Sequence, residues 1–440
     1  MYRIFLTFFT LFFLASCGNL LQDFENKNNL NKIDLSPSLS VRTLSADTKN
    51  WNDVVTNSAE ILAAEIAILD AKREAEIIAT ARELQLNSSL QAGSMSISDE
   101  KNGVLGTLNV DQLITDFGQT DAKILKAEAN VALASLNYLN TVENQLLEAA
   151  LALNAWEAGY DLMNLTYSKQ VIATPLIDNL RRLSAAGQID AIQLSTAEQI
   201  VAQLDLTNAQ TREAINKAEV ILKKFFGKTP DKLKIDLQDL ARFVEKSEKF
   251  KPSHSLPYRL AEQRKAIAEL SFLEHKSSDR GSLVVRSKID VPAADNMDAD
   301  ASVGFVYSKR LRDGGRHEKI SEQLEIKIRQ AESDLLGATI DVKTRHSELQ
   351  AAKSYLQAAN ELRLELIGNV ESQISQLEDQ LAIGSTSFNE LLSANVELYQ
   401  LEREVIEAKS DMIKTNLELV ALNGDLKNFT KAKLTVDLEY

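Results

Sequence analysis

Two glycine turns, each used twice, constrain this chain more than any other feature. Asp116-Phe117-Gly118 precedes a long helical pattern that ends near Gly187, and Asp313-Gly314-Gly315 precedes another that ends near Gly384. Gly118 and Gly187 stand 69 residues apart, as do Gly315 and Gly384, and the second pair follows the first by 197. The same displacement carries Leu180 onto Leu377, Ala185 onto Ala382, Leu194 onto Leu391, Ala197 onto Ala394 and Leu204 onto Leu401. Solenoid repeats run to roughly 20 to 50 residues. A period this long describes one large half-molecule made twice.

Within each half the hydrophobic period changes in the same order. From Trp51 to Arg82, Ile61, Ala64, Ile68 and Ala71 recur at three and four, the helix period. Leu84, Leu86, Leu90 and Ala92 then alternate with Gln85, Asn87, Ser89 and Gln91, and Val104, Gly106, Leu108 and Val110 continue that alternation. This predicts a hairpin with strands over about 84–97 and 104–115, each long enough to cross a bilayer at the roughly 9 to 11 residues a tilted strand needs. A long helix over about 119–182 follows, which Pro175 should bend or interrupt, and a return helix runs from Asp190 to about Phe226. Residues 227–256 carry Pro230 and Pro252 and lose the helical stripe, apart from a short candidate at Leu237–Val244, so they read as a linker.

The second half, 257–424, repeats the order with a helix over about 258–280, strands over about 283–291 and 301–309, and a helical hairpin over 316–422. Its long helix shows the packing mode. Leu335, Val342, Leu349, Leu356, Arg363, Val370 and Leu377 are spaced by seven, and Ala338, Arg345, Ala352, Ala359 and Leu366 form a second series, as in a coiled-coil-like bundle. The tail, 425–440, alternates at Leu434, Val436 and Leu438, which fits an edge strand or a segment lying over the helices.

The N-terminus is separate from this design. Arg3, an apolar run from Ile4 to Leu14 and Leu14-Ala15-Ser16-Cys17 make a secretory signal over 1–16, too short for a spanning helix. Leu-Ala-Ser-Cys resembles the lipobox of bacterial lipoproteins, which implies that Cys17 is lipidated and that 17–50 is a polar tether. Cys17 is the only cysteine, so no intramolecular disulfide can form. Net charge of -14 argues against nucleic-acid binding, which needs cations to neutralise phosphates. His254, His275, His317 and His346 lack metal-ligand spacing, and no nucleophile motif or phosphate loop is present, so no catalytic residue, metal or cofactor is expected.

Four strands cannot close a barrel, and an open sheet edge cannot sit in lipid, so membrane strands here would require further chains. With Thr115-Asp116-Phe117-Gly118-Gln119, Arg312-Asp313-Gly314-Gly315-Arg316, Ala185-Ala186-Gly187 and Ala382-Ile383-Gly384 at one displacement, the chain resembles the TolC-type outer membrane efflux protein family, in its lipoprotein branch. The resemblance implies a mainly α fold with a membrane β-barrel part: a homotrimer with a 12-stranded barrel and a periplasmic α-helical tunnel. It further implies an outer membrane, lipid-anchored exit duct for tripartite efflux or type I secretion, with a periplasmic adaptor and an inner-membrane RND or ABC transporter as partners. Gly18 stands where an inner-membrane retention signal would place Asp.

The resemblance puts Gly187 and Gly384 at the periplasmic tip, where the adaptor docks, and matches Glu390 to an acidic gate position, although Ser393 and Gln193 depart from a fuller acidic pattern. Asp116 and Asp313, with Gly118 and Gly315, mark the strand-to-helix turns, and an acid there caps the helix that follows. A lipid-tethered periplasmic coiled-coil scaffold also fits the helical periodicity; two long hairpins in matching places favour the duct.

Overall fold

The computed structural model describes residues 49–95, 101–227, 237, 239–246, 250–292 and 299–434. The expected signal segment, Cys17, the tether up to residue 48, the tips of both strand hairpins and residues 435–440 lie outside them. The elements are α1 (Lys49–Asn57), α2 (Ala59–Ala79), β1 (Gln85–Met95), β2 (Lys101–Thr115), α3 (Gln119–Ala185), α4 (Ala191–Phe226) and α5 (Leu240–Lys246). The second half follows with α6 (Leu256–Ser278), β3 (Ser282–Pro292), β4 (Asp300–Ser308), α7 (Arg316–Ala382), α8 (Phe388–Leu422) and the short α9 (Leu426–Thr430). Both long helices have 67 residues, about 100 Å at 1.5 Å per residue.

The two halves meet edge to edge. The strands form one antiparallel sheet in the order β1-β2-β3-β4, with Asp111 opposite Arg286 at the junction of the halves. Nearest the sheet the helices follow the same order, α2, α3, α6, α7, and towards the glycine tips the order becomes α4, α3, α8, α7. In both layers the first-half helix α3 is interior and α7 is terminal. Burial follows position: Ala149, Ala150 and Leu146 of α3 are fully enclosed, whereas α7 buries only Val342, Leu349 and Val370. The first heptad series on α7 faces its neighbours, and the second is mixed, with Arg345 and Leu366 exposed.

Local chemistry sharpens three sequence expectations. The helix read over Trp51–Arg82 is broken at Ser58, whose hydroxyl accepts from the Ile61 N–H at 3.3 Å and starts α2 afresh. Pro175 does not end α3, which continues ten residues further with Ala173 and Ile177 buried on either side; tertiary packing outweighs the lost hydrogen bond. The start of the tail takes the second of its two expected placements, as a short helix lying over α3 and α8 and not as an edge strand: Leu426 is fully buried, and Lys433 donates its N–H to Asn52 Oδ1 at 2.7 Å.

Close approach of α3 and α4 depends on Gly159. A Cβ there would lie 2.6 Å from Ile215 Cγ1, on a side chain that is itself buried. Gly159→Ala is therefore expected to destabilise the protein by about 1–3 kcal/mol, despite the roughly 1 kcal/mol by which Ala favours a helix over Gly. Adding Ile215→Ala should cost less in Gly159→Ala than in the wild type, as a double-mutant cycle in thermal unfolding would read. A raised melting temperature for Gly159→Ala alone would contradict the tight approach.

Candidate functional site

The register sorts the strands into two unlike faces. Gln85, Asp111 and Arg286 share one rung, Asn87, Asn109, Lys288 and Ser302 the next, and Ser89, Thr107, Asp290 and Asp300 the third. These rungs are cross-linked: the Arg286 guanidinium donates to both carboxylate oxygens of Asp111 at 2.7 and 2.9 Å, and Thr107 Oγ1 and Lys288 Nζ each lie 2.7 Å from the Asp290 carboxylate. The intervening rungs are apolar, with Leu86, Val110 and Val303 on one and Leu108, Ile289 and Ala301 on another. That apolar face is open, Leu90 being 81% exposed, Val303 77% and Phe305 62%. Side chains alternate faces along a strand, so a sheet polar on one side and bare and apolar on the other suits lipid against water. Among the described residues no helix is long and apolar enough to cross a membrane.

Each strand pair feeds its long helix through the same turn. Gly118 and Gly315 have φ of 92° and 84°, left-handed values that side chains with a Cβ rarely adopt. The acids two residues earlier accept from the helix N-terminus, Asp116 Oδ2 from the Thr120 N–H at 2.6 Å and Asp313 Oδ2 from the His317 N–H at 2.7 Å. These bonds hold the Asp313 carboxyl below the usual carboxylate range. In the first copy Phe117 takes a positive φ of 57° where the second has Gly314; its ring meets Tyr307 edge-on at 6.5 Å.

At the opposite end the two tips make the same glycine turn. Gly187 and Gly384 have φ of 70° and 74°, and the N–H groups of Gln188 and Ser385 reach back to the carbonyls of Leu183 and Gln380, both at 2.9 Å. This is the Schellman ending of a helix. Asp190 and Ser387, again 197 apart, then cap the return helices by accepting from Ile192 and Glu390. Ile177, Leu180, Ala197 and Leu392 form one buried cluster that joins the two tips, with Phe388 packed against it.

Glu390 is exposed near this tip, at the third position of α8. Thr386 Oγ1 donates to its carboxylate, while its own N–H donates to Oγ of the N-cap residue Ser387. Sequence spacing missed one pairing: His275 and His317 stack with centroids 4.1 Å apart, and His275 Nε2 lies 3.0 Å from the His317 carbonyl. Both sit in the last or first turn of helices that flank β3 and β4, which the duplication alone could have suggested. Among the described residues no group of three or more His, Cys, Asp or Glu side chains is placed to hold a metal.

A half-molecule of helix, strand hairpin and long helical hairpin, duplicated so that its strands form one two-faced sheet, defines the TolC-type outer membrane channel fold. Solved structures share it along most of their length. The outer membrane protein VceC from Vibrio cholerae has 16% identity and a TM-score of 0.73, covering 86% of this chain and 95% of its own. The Campylobacter jejuni CmeC outer membrane channel has 11% identity and a TM-score of 0.70, covering 92% and 93%. The open-state MtrE outer membrane channel of Neisseria gonorrhoeae has 14% and 0.71, covering 86% and 88%. At these identities the likeness is one of fold. No family model and no curated protein matches the sequence.

Proposed function

We propose that this chain is one third of a passive exit duct in the bacterial outer membrane, closing as a homotrimer with a twelve-stranded barrel and an α-helical tunnel in the periplasm. The observation that carries the reading is the pair of unpartnered edges. β1 and β4 end the sheet and α2 and α7 end the helical layer beside it. Both helices bear exposed apolar side chains, among them Leu62, Ile66 and Leu69 on α2 and Ile326, Leu336 and Ile340 on α7. A sheet edge in lipid must be paired, and joining the β4 edge of one copy to the β1 edge of the next closes a ring. Two copies would fill the barrel with side chains; three begin to leave a lumen.

In this reading the signal segment 1–16 is removed, Cys17 is lipidated and the apolar sheet face meets lipid. The tips at Gly187 and Gly384 meet a periplasmic adaptor joined to an inner-membrane transporter of the RND or ABC type. The pump supplies energy and the duct supplies passage, so the protein itself does no catalysis. The solved outer membrane channels of this fold support the location and the duct role.

Single-channel conductance in a planar bilayer, with oligomer mass measured on the same detergent sample, tests the proposal. Small, discrete, mostly closed conductance from a trimer is expected. A monomer that never conducts, even with its tip opened by mutation, would favour a tethered scaffold instead.

Three copies would bring three Glu390 carboxylates around the tip entrance. Glu390→Gln keeps the side-chain length but removes the charge, so block by multivalent cations should weaken by about an order of magnitude, as focused fields in clefts act. Unchanged block would remove Glu390 from the gate.

A further inference from the structure

The duplication provides an internal control at the strand-to-helix turns. In the second copy the turn is strongly basic, with Lys309, Arg310, Arg312 and Arg316 within eight residues, all exposed. The residues 197 earlier are Gln112, Leu113, Thr115 and Gln119, none of them charged. Both copies make the same left-handed glycine turn and the same aspartate cap. The backbone therefore does not require these cations.

Nor do neighbouring acids account for them. Among the described residues none of the four basic side chains has an ion-pair partner, and the first pair beyond them is Lys319 with Glu322 at 2.9 Å. Asp313, in their midst, directs its carboxylate oxygens to the N–H groups of Gly315 and His317. A cluster of unpaired cations is out of keeping with a chain of net charge -14.

Their surroundings are apolar and fixed. Phe305 and Tyr307 lie on the open apolar face of β4, and Leu311, among the cations, is 90% exposed. Tyr307 donates its hydroxyl hydrogen to the Arg280 carbonyl at 2.9 Å, and Gly281, at φ 84°, lets Ser308 and Lys309 approach so closely that a Cβ would lie 2.4 Å from the Ser308 carbonyl oxygen. An aromatic belt followed at once by basic residues is what a membrane–water interface selects.

We propose that Lys309, Arg310, Arg312 and Arg316 form a binding patch for the phosphate headgroups of anionic phospholipid, in the leaflet that borders the helical half of the protein. This rests on the channel reading, since it needs the apolar sheet face in lipid. Guanidinium groups bind phosphate through paired N–H donors, while Leu311 and the β4 aromatics cover the first part of the acyl chains. Arg310 and Arg312 carry most of the bidentate capacity.

The test inserts purified full-length protein into vesicles of phosphatidylethanolamine containing one-quarter phosphatidylglycerol, re-extracts it in mild detergent, and identifies retained lipids by native mass spectrometry. Wild-type protein should retain phosphatidylglycerol over phosphatidylethanolamine at a ratio about tenfold above that of the vesicles, since each cation at an anionic surface contributes roughly a fivefold gain. The variant Arg310→Gln with Arg312→Gln should return to the vesicle ratio while keeping its oligomer mass. Equal retention by wild type and variant would overturn the proposal. So would loss of the oligomer by the variant with unchanged lipid preference in what remains, because the cations would then pair with a neighbouring copy. Failure of the wild type to enter vesicles at all would overturn the channel reading beneath it, an outcome distinct from insertion without lipid preference.

Discussion

Arginine at Val303 should keep the protein out of the membrane, and arginine at the adjacent Ser302 should not. The two residues are consecutive in β4, but Val303 shares its rung with Ser287, Val110 and Leu86, whereas Ser302 shares its rung with Lys288, Asn109 and Asn87. Val303 is 77% exposed on the apolar face. If that face meets lipid, a charge there costs about 2–4 kcal/mol near the bilayer centre, and three copies would each incur it. Ser302→Arg would instead add a cation to a face already holding Arg286 and Lys288 beside Asp111 and Asp290. Its expected effect is a shift in ion selectivity with insertion intact. The measurement is the fraction of protein recovered in liposomes after reconstitution, followed by reversal potentials for whatever inserts. Equal insertion of both variants would mean that the apolar face does not contact lipid, and the tethered scaffold would become the better account.

Most of the architecture was legible because the duplication repeats local signals that do not depend on distant contacts. Glycine at a left-handed φ and aspartate or serine at a helix start are short-range requirements, so Gly118, Gly187, Gly315 and Gly384 could be placed from sequence, and the helix after Ser387 was bounded correctly at Phe388 and Leu422. Strand faces were not legible in the same way. Ser88, Leu105 and Ser287 blur the alternation within any one strand, and the pairings of Asp111 with Arg286 and of Thr107 with Asp290 across the two halves show which side collects the charges. The first of these contacts joins residues 175 apart, a separation no local pattern encodes. The asymmetry between α3 and α7 was hidden for a related reason. Both have helical hydrophobic spacing, but burial depends on position in the layer, and α7 lies at an edge that a single chain leaves uncovered. The carboxylate of Glu390 was visible as a motif, whereas the bonds that Glu390 makes with Thr386 and Ser387 give it a local role as well as the proposed gating one.

Glu143 is the buried charge whose behaviour is most sensitive to pH. It lies near the middle of α3 and accepts the N–H groups of Leu426 and Lys427, both at 2.9 Å, so it fastens the start of α9 to the longest helix of the first half. Burial pushes its carboxyl up to about 7, although the two N–H bonds act in the opposite direction. A value raised above the 4.5 of an ordinary glutamate means that the folded state holds the proton more tightly than the unfolded chain does. Its stabilising contribution is then complete below about pH 4.5 and is lost as pH rises through about 7, amounting to about 3 kcal/mol by linkage. Glu143→Gln cannot ionise, but its amide offers one acceptor oxygen to two donors, which costs about 1–3 kcal/mol for the unpaired N–H. The wild type should therefore be the more stable at pH 5, and the gap should narrow by up to about 3 kcal/mol by pH 8, where the order can reverse. Thermal unfolding of both proteins in the same detergent at the two pH values reads this directly. A gap that widens with pH would mean that the carboxylate is ionised in the folded protein and held by its two N–H donors, so that hydrogen bonding outweighs burial at the joint between α3 and the C-terminal segment.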